Sequence, residues 1–369
     1  MLRVCLKHLK TDITTKRDKE MRKKKMMIRH YNNIISIIML ATMLLAACGS
    51  GSDGIEDTPS TTSSEAPKEI RVNTNLTKML TRATTIDDNT AFQSYHLKID
   101  AYYHDTETAY LLGKTLHYDS SWKFWDTSTS TQEHYYWPFE GSTVAGGSTT
   151  ASTLDFVGFC PYEKPAYIGT PTYNHETGVL SFTCDMSNYM TLARQTGAEE
   201  PTIPTMQEFL VSVLPNQTLA TQTAAGGALP MVFKHPFALI KFTITAASGT
   251  HVQINSISID GLNTGGTCTY NGSTMTWGSY SGSATMTIAQ VLKNGGTTES
   301  TPFVVIPNDY GTKYLTVNAT WDDWSNPVTI SDYGTNVTFN WQPGYIYTYN
   351  LTLDEYGLMV DISKFTEQW

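Results

Sequence analysis

Charged side chains are scarce in this 369-residue chain: Asp, Glu, Lys and Arg together make up 16% of it. Cysteine is scarcer, with five in all. There is no Cys-x-x-Cys, and His96, His104, His117, His134, His175, His235 and His251 include no pair at the H-x-x-x-H spacing of a zinc helix. No G-x-S-x-G elbow, Walker loop or G-x-G-x-x-G follows a strand-like segment. These absences leave no catalytic residue, no metal ligand set and no cofactor to name, and they argue against an enzyme. Asp322-Asp323 between Trp321 and Trp324 could be drawn as a sugar-cleaving or sugar-binding corner. Adjacent residues of a strand point to opposite faces, however, and a solvated loop accounts for the pair better.

A long apolar span is also missing. The longest run, Ile34 to Leu45, falls short of the roughly 20 residues that a membrane-crossing helix needs. It follows Arg22-Lys23-Lys24-Lys25 and Arg29 and ends in Leu45-Ala46-Ala47-Cys48, which is the layout of a secretory signal with a cysteine at the cleavage point. We therefore expect residues 1–47 to be leader and signal peptide, with translation starting at Met21, and Cys48 to carry an acyl chain. Eleven of the 25 Lys and Arg but only 3 of the 34 Asp and Glu precede Cys48, so the remainder carries a net charge of −17. Such a body repels nucleic acid and anionic membrane surfaces. Cys5 lies in the leader, and Cys160, Cys184 and Cys268 remain. Three is odd, so either Cys160 pairs with Cys184 or all three are buried thiols.

What the chain does have is Gly, Ser, Thr and Tyr, with period-two alternation. Residues 48–68 are almost free of aromatics and read as a flexible tether. Ile70, Val72 and Leu76 then share one face of an extended segment, with Thr74 completing the series. Tyr95 to Tyr103, Trp122 to Trp125, His134 to Pro138, Leu154 to Phe159 and Val179 to Cys184 read as strands of a first β-domain. Phe237 to Ile244, Val252 to Ile259, Phe303 to Ile306 and Tyr345 to Leu353 begin and end a second. The His134-Tyr135-Tyr136-Trp137 run reads as sandwich core and edge more readily than as a ligand platform. Ile288 to Lys293 is expected to form a turn or two of helix before Gly295-Gly296. The fold class is all-β, with sandwich domains over residues 69–225 and 226–369.

One order of motifs runs through the mature chain: Leu45-Ala46-Ala47-Cys48, Thr81-Arg82-Ala83, Leu154-Asp155-Phe156-Val157-Gly158-Phe159-Cys160-Pro161, Phe233-Lys234-His235-Pro236-Phe237 continuing to Phe242, Val305-Ile306-Pro307, and Trp341-Gln342-Pro343-Gly344-Tyr345 continuing to Leu351. In this order the chain resembles the fimbrillin family, the type V pilins of Bacteroidales surface fimbriae. The resemblance implies two tandem transthyretin-like β-sandwiches, exported as a lipoprotein to the outer-membrane surface. It implies that an arginine-specific protease removes the N-terminal strand and that a strand of the next subunit takes its place. Carried onto this sequence, Cys48 takes the lipid and the cut falls between Arg82 and Ala83. Arg71 sits inside the strand it would release, and a cut at Arg194 would divide the body. The removable strand is 69–82, with Ile70, Val72 and Leu76 facing inward.

Leu358, Val360 and Ile362 repeat the two-residue step within 356–369. That segment is either a donor strand or the last strand of its own domain, with Asp354-Glu355-Tyr356-Gly357 as a hairpin turn. The partners implied are other fimbrial subunits, the outer membrane through the lipid on Cys48, the protease, and an adhesion ligand. The other function considered is a monomeric surface lipoprotein that binds glycans or host adhesins through Trp321 and Trp324.

Overall fold

The computed structural model describes residues 67–76, 89–104, 106–138, 153–192, 207–246, 252–288, 292–293, 297–300, 302–321, 328–354, 357–359 and 365–368. In chain order the first strands are β1 (Val72–Leu76), β2 (Leu97–Tyr103), β3 (Ala109–Asp119), β4 (Ser121–Asp126), β5 (Thr131–Gln132), β6 (Leu154–Cys160), β7 (Thr172–Asn174), β8 (Val179–Asp185), β9 (Thr191–Leu192), β10 (Leu210–Gln217), β11 (Leu229–Phe233) and β12 (Ala238–Ala246). Then come β13 (Val252–Leu262), β14 (Gly265–Tyr270), β15 (Met275–Ser281), β16 (Ala284–Ile288), β17 (Leu292–Lys293), β18 (Thr297–Glu299), β19 (Phe303–Val305), β20 (Asp309–Trp321), β21 (Val328–Asn340), β22 (Tyr345–Asp354), β23 (Gly357–Met359) and β24 (Phe365–Gln368). Two short helices interrupt them, α1 (Asn89–Gln93) and α2 (Leu219–Ala224). No helix among the described residues is long and apolar enough to cross a membrane.

A six-stranded antiparallel sheet, ordered β10-β6-β2-β3-β4-β5, is the centre of the N-terminal part. All seven residues of β6 are buried, the mark of a strand covered on both faces. Leu154, Phe156 and Cys160 point into one hydrophobic cluster, together with Ile70, Phe92, Leu116 and Phe233. Val157 and Phe159, on the opposite face, point into a second cluster with Phe182, Phe209, Phe237 and Trp277. β10 divides in the same way, Leu210 toward the first cluster and Val211 and Val213 toward the second. The period of two has thus placed two cores on the two sides of one sheet.

The first core is closed by a two-stranded parallel sheet, β1 with β11, in which Val72 lies opposite Leu229 and Leu76 opposite Phe233. β11 lies so close to β6 that a Cβ on Gly158 would come within 2.7 Å of the Phe233 ring. Glycine is what allows the two sheets to meet there. The second core is built by three sheets: β12 and β22 paired in parallel, with β18, β19, β23 and β24 attached; β21-β20-β13-β16-β9 with β17; and β15-β14-β8-β7. Its aromatic centre is polar-satisfied, with Trp341 Nε1 donating to the Tyr349 hydroxyl at 2.8 Å and Trp277 Nε1 to the Pro236 carbonyl at 2.6 Å.

Among the described residues, three strand pairings cross the boundary expected between residues 225 and 226, one of them β9 with β16, where Thr191 lies opposite Thr287. β1 pairs with β11, and β8 pairs with β14 from Leu180, opposite Tyr270, to Asp185, opposite Gly265. The helix expected over Ile288 to Lys293 is not formed at its ends: Ile288 pairs with Ile257 and Leu292 with Ile254, because both strands continue the ladder on β13. Cys160, Cys184 and Cys268 are buried free thiols, so of the two readings the thiol one holds. Burial pushes all three above the usual thiol range, Cys184 to about 12.

Candidate functional site

The site worth attention is the slot that β1 occupies. Ile70, Val72, Thr74 and Leu76 are 1%, 4%, 4% and 8% exposed, while Arg71, Asn73 and Asn75 between them face solvent. The segment thus supplies a full face of the first core from the very start of the described chain. Its entrance is held by the His134 to Trp137 run. Ile70 N donates to the Tyr135 carbonyl at 2.7 Å, Trp137 N to the Lys68 carbonyl at 2.9 Å, and Glu69 forms an antiparallel bridge with Tyr136. Trp137 is buried and Tyr135 packs edge-on against Phe124. The run is therefore core and edge, as its composition suggested, and its backbone is the partner of the β1 entrance.

A second clamp had no signal in the sequence. Gln222, buried on α2, donates from Nε2 to the Glu69 carbonyl at 2.9 Å, and its Oε1 accepts from Arg71 N at 3.0 Å and from Trp137 Nε1 at 3.1 Å. One amide therefore ties β1 to the wall beside it. The position of Gln222 depends on a capping box, in which the Thr218 and Thr221 side chains and backbones bond reciprocally at the start of α2. Glu69 completes the entrance. Burial pushes its carboxyl up, but hydrogen bonds from His134 and Arg71 and their charges outweigh that and hold it below its usual value. The Arg71 Nε to Glu69 contact is 3.0 Å, at an exposed rim where such a pair contributes little.

Of the other residues singled out, Cys48, Arg82, Ala83, Val360, Ile362 and Trp324 lie outside the described residues. Leu358 is in β23 and pairs with Leu353 of β22, with Asp354 opposite Gly357. β23 is thus paired with β22 of the same chain. Trp321 ends β20 opposite Val252. No group of three or more His, Cys, Asp or Glu side chains suited to a metal occurs among the described residues. One buried carboxylate has the partners of a structural hub and not of an acid–base group. Asp155 accepts from His104 Nδ1 at 2.8 Å, Tyr173 OH at 3.0 Å and Asn216 N at 2.7 Å. It joins the end of β2, β7 and the irregular end of β10, which is a structural task.

The profile of the fimbrillin-like family matches residues 77–369, most of the chain. The chain belongs to the fimbrillin-like family. A search of curated proteins gives no match. Among solved structures, a fimbrial protein from Bacteroides vulgatus aligns at 14% identity and a TM-score of 0.57, over 82% of this chain and 99% of that one. The fimbrial anchor protein Mfa2 from Porphyromonas gingivalis aligns at 10% identity and a TM-score of 0.34, over 82% and 98%. The first shows that the fold is the all-β one of a fimbrial protein. The fimbrillin-like span begins at Thr77, the residue after β1 ends, so the strand filling the slot lies outside it.

Proposed function

We propose that this fimbrillin-like chain is a structural subunit of a cell-surface fimbria, assembled by strand exchange. It is exported as a lipoprotein acylated at Cys48 and thereby held to the outer membrane. An arginine-specific protease then cuts between Arg82 and Ala83, and β1 leaves its slot. A strand of a neighbouring subunit takes the slot, and the resulting fibre contributes to adhesion. No catalytic step by the chain itself is involved.

One observation carries the reading: β1 is fully seated in the first core, yet among the described residues it pairs with a single strand, β11, and it ends immediately before the family-matched span. Ile70, Val72 and Leu76, at about 1.5–3 kcal/mol each when buried, together hold the segment with at most about 5–9 kcal/mol before ordering costs. The vacated slot would leave apolar side chains and the β11 edge without a partner, which is what makes it adhesive for another strand. The C-terminal segment from Gly357 is the candidate donor: β23 and β24 are three- and four-residue strands on β22, so their release would break few ladder bonds.

The test is to treat purified Cys48→Ala precursor with an Arg-specific protease. The expected result is a new N-terminus at Ala83 together with a ladder of oligomers. A cleaved chain that stays monomeric and folded would exclude strand exchange.

A further inference from the structure

Among the described residues, only one edge of β1 carries a partner strand. β1 meets β11 along one edge, where the Leu229 amide bonds the Arg71 carbonyl. Parallel pairing alternates, so Arg71, Asn73 and Asn75 turn their backbone groups to β11, and Val72, Thr74 and Leu76 turn theirs to the opposite edge. At Ile70 that opposite edge is bonded to Tyr135. Beyond Ile70 the neighbouring chain departs: the Glu133 amide bonds the Phe124 carbonyl, and Thr131 and Gln132 pair with β4 as β5. Among the described residues, no strand lies along the far edge of β1 from Val72 onward.

The divergence leaves a groove of about 570 Å³ between β1 and β4. Every residue from Glu69 to Asn75 borders it, not every second one, so it runs along the strand edge and not across a face. Phe92, Leu116, Trp122 and Phe124 lie at its base, and polar and charged side chains, among them Glu69, Arg71, Lys123, Glu133, Ser121 and Gln132, line its sides. Thr74 Oγ1 is buried without a hydrogen-bond partner among the described residues and borders the same space.

We propose that the precursor, with β1 still in place, accepts an extended strand from a second copy of this chain along the free edge of β1. The proposal rests on the strand-exchange reading and adds a docking step before cleavage. Backbone groups spaced at the strand repeat and turned into a groove that follows the strand edge are complementary to another strand, not to a compact ligand. The second copy is favoured because it carries β23 and β24, short extended segments of three and four residues held on one edge of β22, each able to pair with part of the five-residue β1. Five residues of added strand bury far less than the roughly 1,200–2,000 Å² of a stable interface, so this contact is transient and holds the donor close to the slot that cleavage will open.

The probe is a labelled synthetic peptide of residues 356–369, titrated by fluorescence anisotropy into uncleaved Cys48→Ala chain. Saturable binding is expected, weakened at least tenfold by Ser121→Trp with Gln132→Trp, which fill the groove from exposed wall positions. The same loss is expected when alternate peptide amides are N-methylated. Equal binding to the wall variant, or equal binding of a scrambled peptide, would overturn the assignment. So would binding by the cleaved chain alone, an outcome that leaves strand exchange standing. If neither form binds and the cleaved chain does not assemble, strand exchange falls with it.

Discussion

Replacing Ile70 by alanine is the sharpest way to ask whether β1 is part of the fold or a tail lying on it. Ile70 is 1% exposed and sits in the first core with Phe92, Leu116 and Phe233, while its amide is fixed to Tyr135. Truncating such a side chain removes its transfer energy and leaves a cavity, a loss of about 2–5 kcal/mol. That is a large part of the 5–15 kcal/mol that typically separates folded from unfolded. In urea, with a slope of about 3 kcal/mol per molar, even the low end moves the midpoint down by about 0.7 M. Hydrogen exchange at Met231 and Phe233 of β11 reports the same change locally, since those amides lie in the ladder with β1. An exposed residue of the same segment, Asn73→Ala, is the control and should shift the midpoint by less than about 0.2 M. Equal shifts for the two variants would refute the placement of β1.

Three further outcomes follow from the packing. Gly158→Ala should cost about 1–3 kcal/mol, because its Cβ would strike Phe233 and Met231 and push β11 off β6; a thermal melt measures it. The thiols of Cys160, Cys184 and Cys268 should be inert to a thiol reagent in the native chain and all three should react in denaturant, which an Ellman assay counts. Burial holds His235 neutral and pushes its pKa down to about 3, whereas the unfolded chain takes up that proton near pH 6.5. Its contribution is therefore complete above pH 6.5 and is lost as the pH falls toward 3, at about 1.4 kcal/mol per unit. Urea midpoints between pH 6.5 and 5 should fall for the native chain and flatten for His235→Gln.

The strands were legible in the sequence wherever a period of two meets a single buried face. Ile70, Val72 and Leu76 show it, and the Tyr345 to Leu353 strand forms as expected. Alternation says which side chains face inward, but not which core they enter or which strand lies beside them. β6 reads as a strand from its apolar run, yet its role as the wall between two cores depends on Gly158 and on pairing with β10, distant in sequence. β8 carries nothing that shows it will pair with β14. Ile288 and Leu292 stand four residues apart, a spacing that suits a helix, and a long neighbouring strand, β13, drew both into its ladder instead. Gln222 was invisible because a single amide on a six-residue helix becomes a clamp only once β1 and Trp137 are brought to it.

The proposed strand exchange requires the N-terminal strand to be a temporary occupant, and the N-terminus of subunits in fimbriae decides it. Fimbriae sheared from the surface, purified and sequenced from the N-terminus should begin at Ala83, with no peptide from 70–76 detectable by mass spectrometry. Fibres whose subunits begin at Cys48 and retain Ile70 to Leu76 would contradict the account.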